Sequence, residues 1–395
     1  MKYAKNLSIV LLVLLMNACA SVQQVACPDG TLDLPDCPPA EAVDDKNLNE
    51  IYQIRTWLPP SKLTIDPIAL GKEAQIPINS SRAKIIGPSH DEAIDSLAAK
   101  IWLIENAQHT VDVAYYIIKP DLVGYSILGA QCNAVKRGVD VRIIVDSIGS
   151  YSPGHSAFRA VETCAADAGF IRNDDGQLTT KKARVQVVIF NALTKLQFNR
   201  RSHDKLMVVD GSFNDKAAIM TGGRNISLDY YGIDKDGAED LDAFRDLEIL
   251  IKSGSQSGDE EHTVGRVSEI YYSLLFVHKG NRRIYPYEAE SEFDEGEYDD
   301  RYIRHRNRAQ QSLATLKAFP DMKERMQNME RYMNEGFHET DVMLSHQLGN
   351  LTSTNVTTNV VENLERNPNS ILYIISKILD EAKAEGNISG TLHIV

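Results

Sequence analysis

The feature that most constrains this fold is an alternation of helical and strand-like apolar patterns from residue 83 to 190. Ile94, Leu97, Ala98, Ile101 and Ile104 recur at helical spacing, and Val111, Val113 and Tyr115 then alternate as in a strand. A second helical run, Gly124–Lys136, is closed by Gly138 and followed by the apolar run Val139–Val145. Ala157–Ala168 reads as another helix with Gly169 as its stop, and Val185–Phe190 as a third buried strand. Strands that alternate with helices predict an α/β fold with a mixed, largely parallel sheet flanked by helices. Shorter strands are expected at Leu206–Val209, Ala217–Met220 and Leu247–Ile251.

The start of the chain reads as a targeting segment. Lys2 and Lys5 precede the apolar run Leu7–Met16, which is too short for a membrane-spanning helix and fits a signal-peptide core. Leu15-Met16-Asn17-Ala18-Cys19 resembles a lipobox. Residues 1–18 are then the signal peptide and Cys19 carries the lipid, the alternative being an ordinary secretory signal. By the same resemblance, Ala20 in place of Asp points to a lipoprotein of the outer membrane facing the periplasm. Residues 19–82, punctuated by Pro38-Pro39 and Pro59-Pro60, read as a tether and N-terminal extension.

Four further cysteines follow Cys19. Cys27 and Cys37 flank a turn-rich stretch and form the natural local disulfide in an exported chain. Cys132 and Cys164 sit in helical patterns and are either a second bridge or two buried apolar residues. A formal net charge of -13 argues against a broad nucleic-acid surface, so no nucleic-acid partner is expected.

The chemistry centres on His203-Asp204-Lys205-Leu206-Met207-Val208-Val209-Asp210. An aspartate falls five residues after the lysine across an apolar strand. Gly222-Gly223-Arg224-Asn225 comes next, and Asp246 then precedes another strand. His203 and Lys205 share strand parity and so can face one pocket. An imidazole can attack phosphorus and split a hard displacement into two steps, while an ammonium neutralises the phosphoryl oxygens. Gly222 and Gly223 permit close approach of backbone to substrate, and the Asn225 amide donates to the same phosphate. Asp210 reads as structural, bonding turn amides at the strand's end. Arg200 and Arg201 either guide an anionic headgroup or are solvated loop charges. No His or Cys spacing implies a metal, and no cofactor is expected.

Together these residues resemble the HKD motif of the phospholipase D superfamily. Asn199-Arg200-Arg201-Ser202-His203-Asp204-Lys205 is most similar to the C-type bacterial cardiolipin synthases. Tyr115-Tyr116-Ile117 and Arg137-Gly138-Val139-Asp140-Val141-Arg142 fit the same family. The insertion Phe213–Lys216 departs from its usual spacing. The resemblance implies a phosphohistidine at His203 and Asp246 as the carboxylate that orients it. It also implies a phospholipid substrate and phosphatidyl transfer, with hydrolysis of a phospholipid or another phosphodiester as the alternative.

That family pairs two such half-sites, one histidine attacking and the other protonating the leaving alcohol. No other histidine here is followed two positions later by a lysine. Residues 83–256 read as one complete half and 257–368 as a helical, charged connecting region. Residues 369–395 read as the opening of a second half, from the helical spacing of Ile371, Ile374, Ile375, Ile378 and Leu379 and the extended run Thr391–Val395. Three readings stand open: a homodimer that completes the site, a truncated product, and a lipid-binding lipoprotein without catalysis.

Overall fold

In a computed structural model, the described residues are 38–39, 41–57, 80–150, 155–191, 201–254, 262–278, 280–284, 295–342, 344–346, 361–362, 367 and 370–386. Cys19, Cys27, Cys37, Arg200 and the run Thr391–Val395 lie outside them.

The elements follow in chain order: α1 (Lys46–Ile54), β1 (Ser81–Ile86), α2 (His90–Asn106), β2 (Thr110–Tyr115), α3 (Leu122–Arg137), β3 (Asp140–Asp146) and α4 (Ser156–Glu162). After a 3-10 turn come β4 (Phe170–Arg172), β5 (Leu178–Lys182), β6 (Val185–Phe190), β7 (Lys205–Val209), β8 (Ala218–Gly222) and β9 (Glu248–Ser253). The rest are α5 (Val264–Phe276), β10 (Arg282–Ile284), α6 (Glu295–Ala318), α7 (Pro320–Tyr332), β11 (His338–Thr340) and α8 (Ile371–Ala384).

Local signals set the helix ends. Ser89 and Glu92 form a reciprocal capping box at the start of α2. Asp121 caps α3, and Gly138, at φ 100°, closes it in the left-handed conformation.

One sheet of nine strands, in the order β10-β6-β3-β2-β7-β8-β9-β1-β11, organises the molecule. It is mixed, as the alternation of elements implies. Its parallel part is β2, β3 and β6, joined through helices. The other pairings are antiparallel. The short link between β7 and β8 makes a hairpin, which only antiparallel neighbours accept.

Strand alternation sends Val111, Val113 and Tyr115 into one core with α2 and α3, and Ala114 into the other with α5. On the first face α6 packs along α3 and α4, and α7 against α2. Ala309, Leu313, Leu316, Met322, Met329 and Met333 join that core. The connecting region expected at 257–368 is therefore part of the folded body, because helices α2 and α3 need an outer layer and α5 covers the opposite face. The β9–β1 end of the sheet is tied to α7 by charge: Lys84 and Lys252 donate to the last carbonyls of α7 and the turn after it, Tyr332, Glu335 and Met333.

The N-terminal extension is corrected likewise. Residues expected as tether contribute α1, capped by Asp45, and then Arg55, which is 1% exposed. Its guanidinium binds Asp112, Asp140 and Glu269 at 2.8–2.9 Å. Arg142 also pairs with Asp112, and Arg184 with Asp140. This buried ion cluster fastens the extension to β2, β3 and α5. Cys132 of α3 and Cys164 are bridged, their Cα atoms 5.5 Å apart, which decides between the two readings of that pair. The helix expected near 371 is present as α8, with Ile371, Ile378 and Leu379 exposed.

Candidate active site

β7 starts at Lys205 directly opposite Tyr115 of β2, and the Tyr116 amide extends this ladder by donating to the Asp204 carbonyl at 3.0 Å. His203 thus stands at the strand's entrance, exposed, while Lys205 is 6% exposed. Lys205 Nζ lies 3.2 Å from His203 Nδ1 and donates to the His203 carbonyl at 3.1 Å. The Tyr116 ring sits 4.7 Å from the imidazole, centroid to centroid, and limits how far it can swing.

Asp204, between the two, points away: its carboxylate accepts from Tyr271 at 2.8 Å and from the Ser202 hydroxyl. Burial pulls the His203 imidazole below its ordinary 6.5, helped by the Lys205 charge, with Asp204 and Asp146 opposing. Burial likewise lowers Lys205 from 10.5, against the pull of Asp246 and Asp204.

Asn225 is fixed by the chain around it. Ile226 bonds the Ile117 carbonyl through its amide, and Lys119 bonds Ile226, so the Gly222-Gly223-Arg224-Asn225 loop is zipped to the segment after β2. The Ile117 amide donates to Asn225 Oδ1 at 3.0 Å, and Asn225 Nδ2 donates to the Tyr230 hydroxyl at 2.8 Å. Asp121, besides capping α3, accepts from the Leu228 amide at 2.9 Å.

The structure adds detail around these residues. Gly222 and Gly223 make room for the protein itself. A Cβ on Gly222, where φ is 151°, would meet the Leu247 carbonyl and Glu248, and one on Gly223 would meet the Asp246 carboxylate. The charge of Asp246 favours the protonated form of Lys205, and those of Asp204 and Asp146 favour the protonated imidazole. Asp210, at φ 49°, accepts from the amides of Gln108, His109 and Thr110 at 2.8–2.9 Å. It is a structural clamp on the turn entering β2. Arg201 is tied to the Asp146 carboxylate, 3.6 Å away, and to the Ser147 hydroxyl, and so is not a solvated loop charge.

Behind the site lies a buried cluster that sequence reasoning missed. Lys100 donates to both Glu248 oxygens at 2.6 and 2.7 Å and to Ser96 at 2.8 Å. Arg224 lies 3.5 Å from Glu248 and bonds the Gly87 carbonyl. It holds the Asn225 loop against the start of β9. Nothing local in the sequence marks this cluster, since Lys100 meets Glu248 across 148 residues and Arg224 meets Gly87 across 137. Among the described residues, no group of three or more His, Cys, Asp or Glu could hold a metal ion.

The fold and this constellation define a class: the family profile described as "Cardiolipin synthase, PLD-like domain" matches residues 101–236, and the chain resembles the phospholipase D superfamily. Within it the resemblance is to the cardiolipin synthases. Over 172 residues the chain is 31% identical to cardiolipin synthase C of Escherichia coli (strain K12), covering 40% of this chain and 30% of that one. It is 28% identical over 221 residues to an uncharacterized protein of Helicobacter pylori (strain ATCC 700392 / 26695), covering 52% and 39%. The chain thus spans well under half the length of these relatives. Among solved structures, the phospholipase D family member Nuc from Salmonella typhimurium aligns with a TM-score of 0.34 and 14% identity, over 52% of this chain and 99% of that one.

Proposed function

We propose that the chain transfers a phosphatidyl group between lipid alcohols through a phosphohistidine at His203. The observation that carries this is the His203–Lys205 contact at an open sheet end, beside an asparagine whose amide is already oriented. A phosphodiester entering there takes over the protons of Lys205, and the Asn225 amide donates to a second phosphoryl oxygen. A ring nitrogen of His203 attacks phosphorus, the P–N bond forms, and the P–O bond to the first alcohol breaks. A second alcohol then attacks phosphorus and releases the imidazole.

The leaving alkoxide needs a proton. Two-fold pairing of two copies supplies it from the partner's His203. Phospholipid as substrate is supported by the likeness to cardiolipin synthases, and anchoring at Cys19 in the outer membrane belongs to the same proposal. Hydrolysis is the second reading, favoured by one observation: His203 is exposed, and transfer requires that water be kept from the phosphoenzyme.

Incubation of the full chain with phosphatidylglycerol vesicles separates these readings. Cardiolipin, lost in His203→Ala, supports transfer; phosphatidic acid alone supports hydrolysis. Binding without turnover that survives His203→Ala makes the chain a lipid-binding protein. DNA cleavage without lipid turnover overturns every lipid reading.

A further inference from the structure

The role given to Asn225 demands that one particular N–H of its side chain point at phosphate, and the backbone alone does not secure this. The amide has one acceptor oxygen and two donor hydrogens. Its oxygen is spent on the Ile117 amide at 3.0 Å. That single bond leaves the group free to pivot. The second anchor is the Tyr230 hydroxyl, which accepts one Nδ2 hydrogen at 2.8 Å. One N–H then remains.

Tyr230 is itself held from three sides. It ends a 3-10 turn, Leu228–Tyr230, that the Ser227 side chain caps. Its ring packs against Phe244 with centroids 5.1 Å apart. The Phe244 amide in turn bonds the Asp229 carbonyl at 2.7 Å. A residue that only filled this space would need the ring and not the hydroxyl, yet the hydroxyl is what touches Asn225.

We propose that Tyr230 is a positioning residue for phosphate recognition: by accepting from Asn225 Nδ2, its hydroxyl aims the remaining N–H of that amide at the substrate's phosphoryl oxygen. This rests on the phosphodiester reading of the site. It requires no particular lipid and no second half-site.

The test uses orthovanadate, a phosphate-sized oxyanion, and the full chain. Tyr230→Phe keeps the ring, so the melting temperature should hold while vanadate binding weakens roughly fivefold, the worth of one hydrogen bond. In the Asn225→Ala background the same substitution should cost nothing further. Equal binding by Tyr230→Phe, or an additive loss in the double variant, overturns the proposal. A measurement on the unsubstituted protein guards against misfolding of the variant. By NMR, one Asn225 Nδ2 hydrogen should exchange slowly before vanadate is added, and the other should shift on binding. Two hydrogens that behave alike overturn the proposal too. If the unsubstituted chain binds no orthovanadate at all, the phosphate site itself fails, and both readings fall. If it binds and only the Tyr230 effects are missing, the function stands and the role of Tyr230 does not.

Discussion

Replacing Arg55 with methionine tests whether the N-terminal extension belongs to the folded body. The guanidinium makes five hydrogen bonds, four to carboxylates and one to the Asp140 carbonyl. Removing one partner of a buried ion pair costs roughly 3–5 kcal/mol because it leaves charge uncompensated. Here each carboxylate keeps another cation: Arg142 for Asp112, Arg184 for Asp140, and Arg142 at 3.8 Å for Glu269. Glu269 also keeps the Ser212 hydroxyl. The loss should therefore sit at the low end, about 3 kcal/mol, more than a hundredfold in the folded-to-unfolded ratio. Arg55→Lys should recover only part of it, since an ammonium lacks the planar fork that reaches several carboxylates at once. Equilibrium unfolding in urea measures both. A loss under about 1 kcal/mol, the range of a surface pair, would show that residues 45–57 are not docked and refute the argument.

Three further outcomes follow from the site and its supports. Turnover should trace a bell against pH. His203 must be neutral to attack and its pKa is lowered, so the acid limb should fall below 6.5; the His203 of the second copy must be protonated to serve the leaving alkoxide, so the alkaline limb belongs to it and should come well before Lys205 loses its charge. Lys205→Arg should lower the rate and leave the alkaline limb in place, and a limb that moves upward assigns it to Lys205. Replacing Cys132 and Cys164 with alanine should cost about 3–4 kcal/mol by urea unfolding, since the bridge closes a loop of 32 residues. An unchanged midpoint would mean the thiols are not joined in the isolated protein. Asp210→Ala strips the acceptor from three amides, and at roughly 1 kcal/mol each should cost about 2–4 kcal/mol. A loss confined to activity would contradict its reading as a clamp.

Much of the architecture was legible because the information is local. The spacing of Ile94, Leu97 and Ile101, and the alternation at Val111–Tyr115, state a period directly, and the structure places α2 and β2 there. The parity of His203 and Lys205 was legible for the same reason, and they do meet. What escaped depends on distance. Arg55 finds Glu269 across 214 residues and Lys100 finds Glu248 across 148, so each reads as an ordinary solvated charge until the sheet brings them together. In α6 the buried residues Tyr302, Ala309, Leu313 and Leu316 are sparse among charges, so the segment reads as part of a charged connecting region. The glycines before Asn225 were visible as a close approach, but the partners, Asp246 and then Glu248 at the start of the neighbouring strand, were not.

The measurement that reaches the central claim most directly is a search for the covalent intermediate. The full chain is mixed with phosphatidylglycerol, quenched in mild alkali where a P–N bond survives, digested, and its peptides weighed. The account predicts a phosphatidyl adduct on His203 that is absent from His203→Ala and diminished in Lys205→Ala. Product formation with an unmodified His203 at every quench time, or an adduct on another residue, would contradict it.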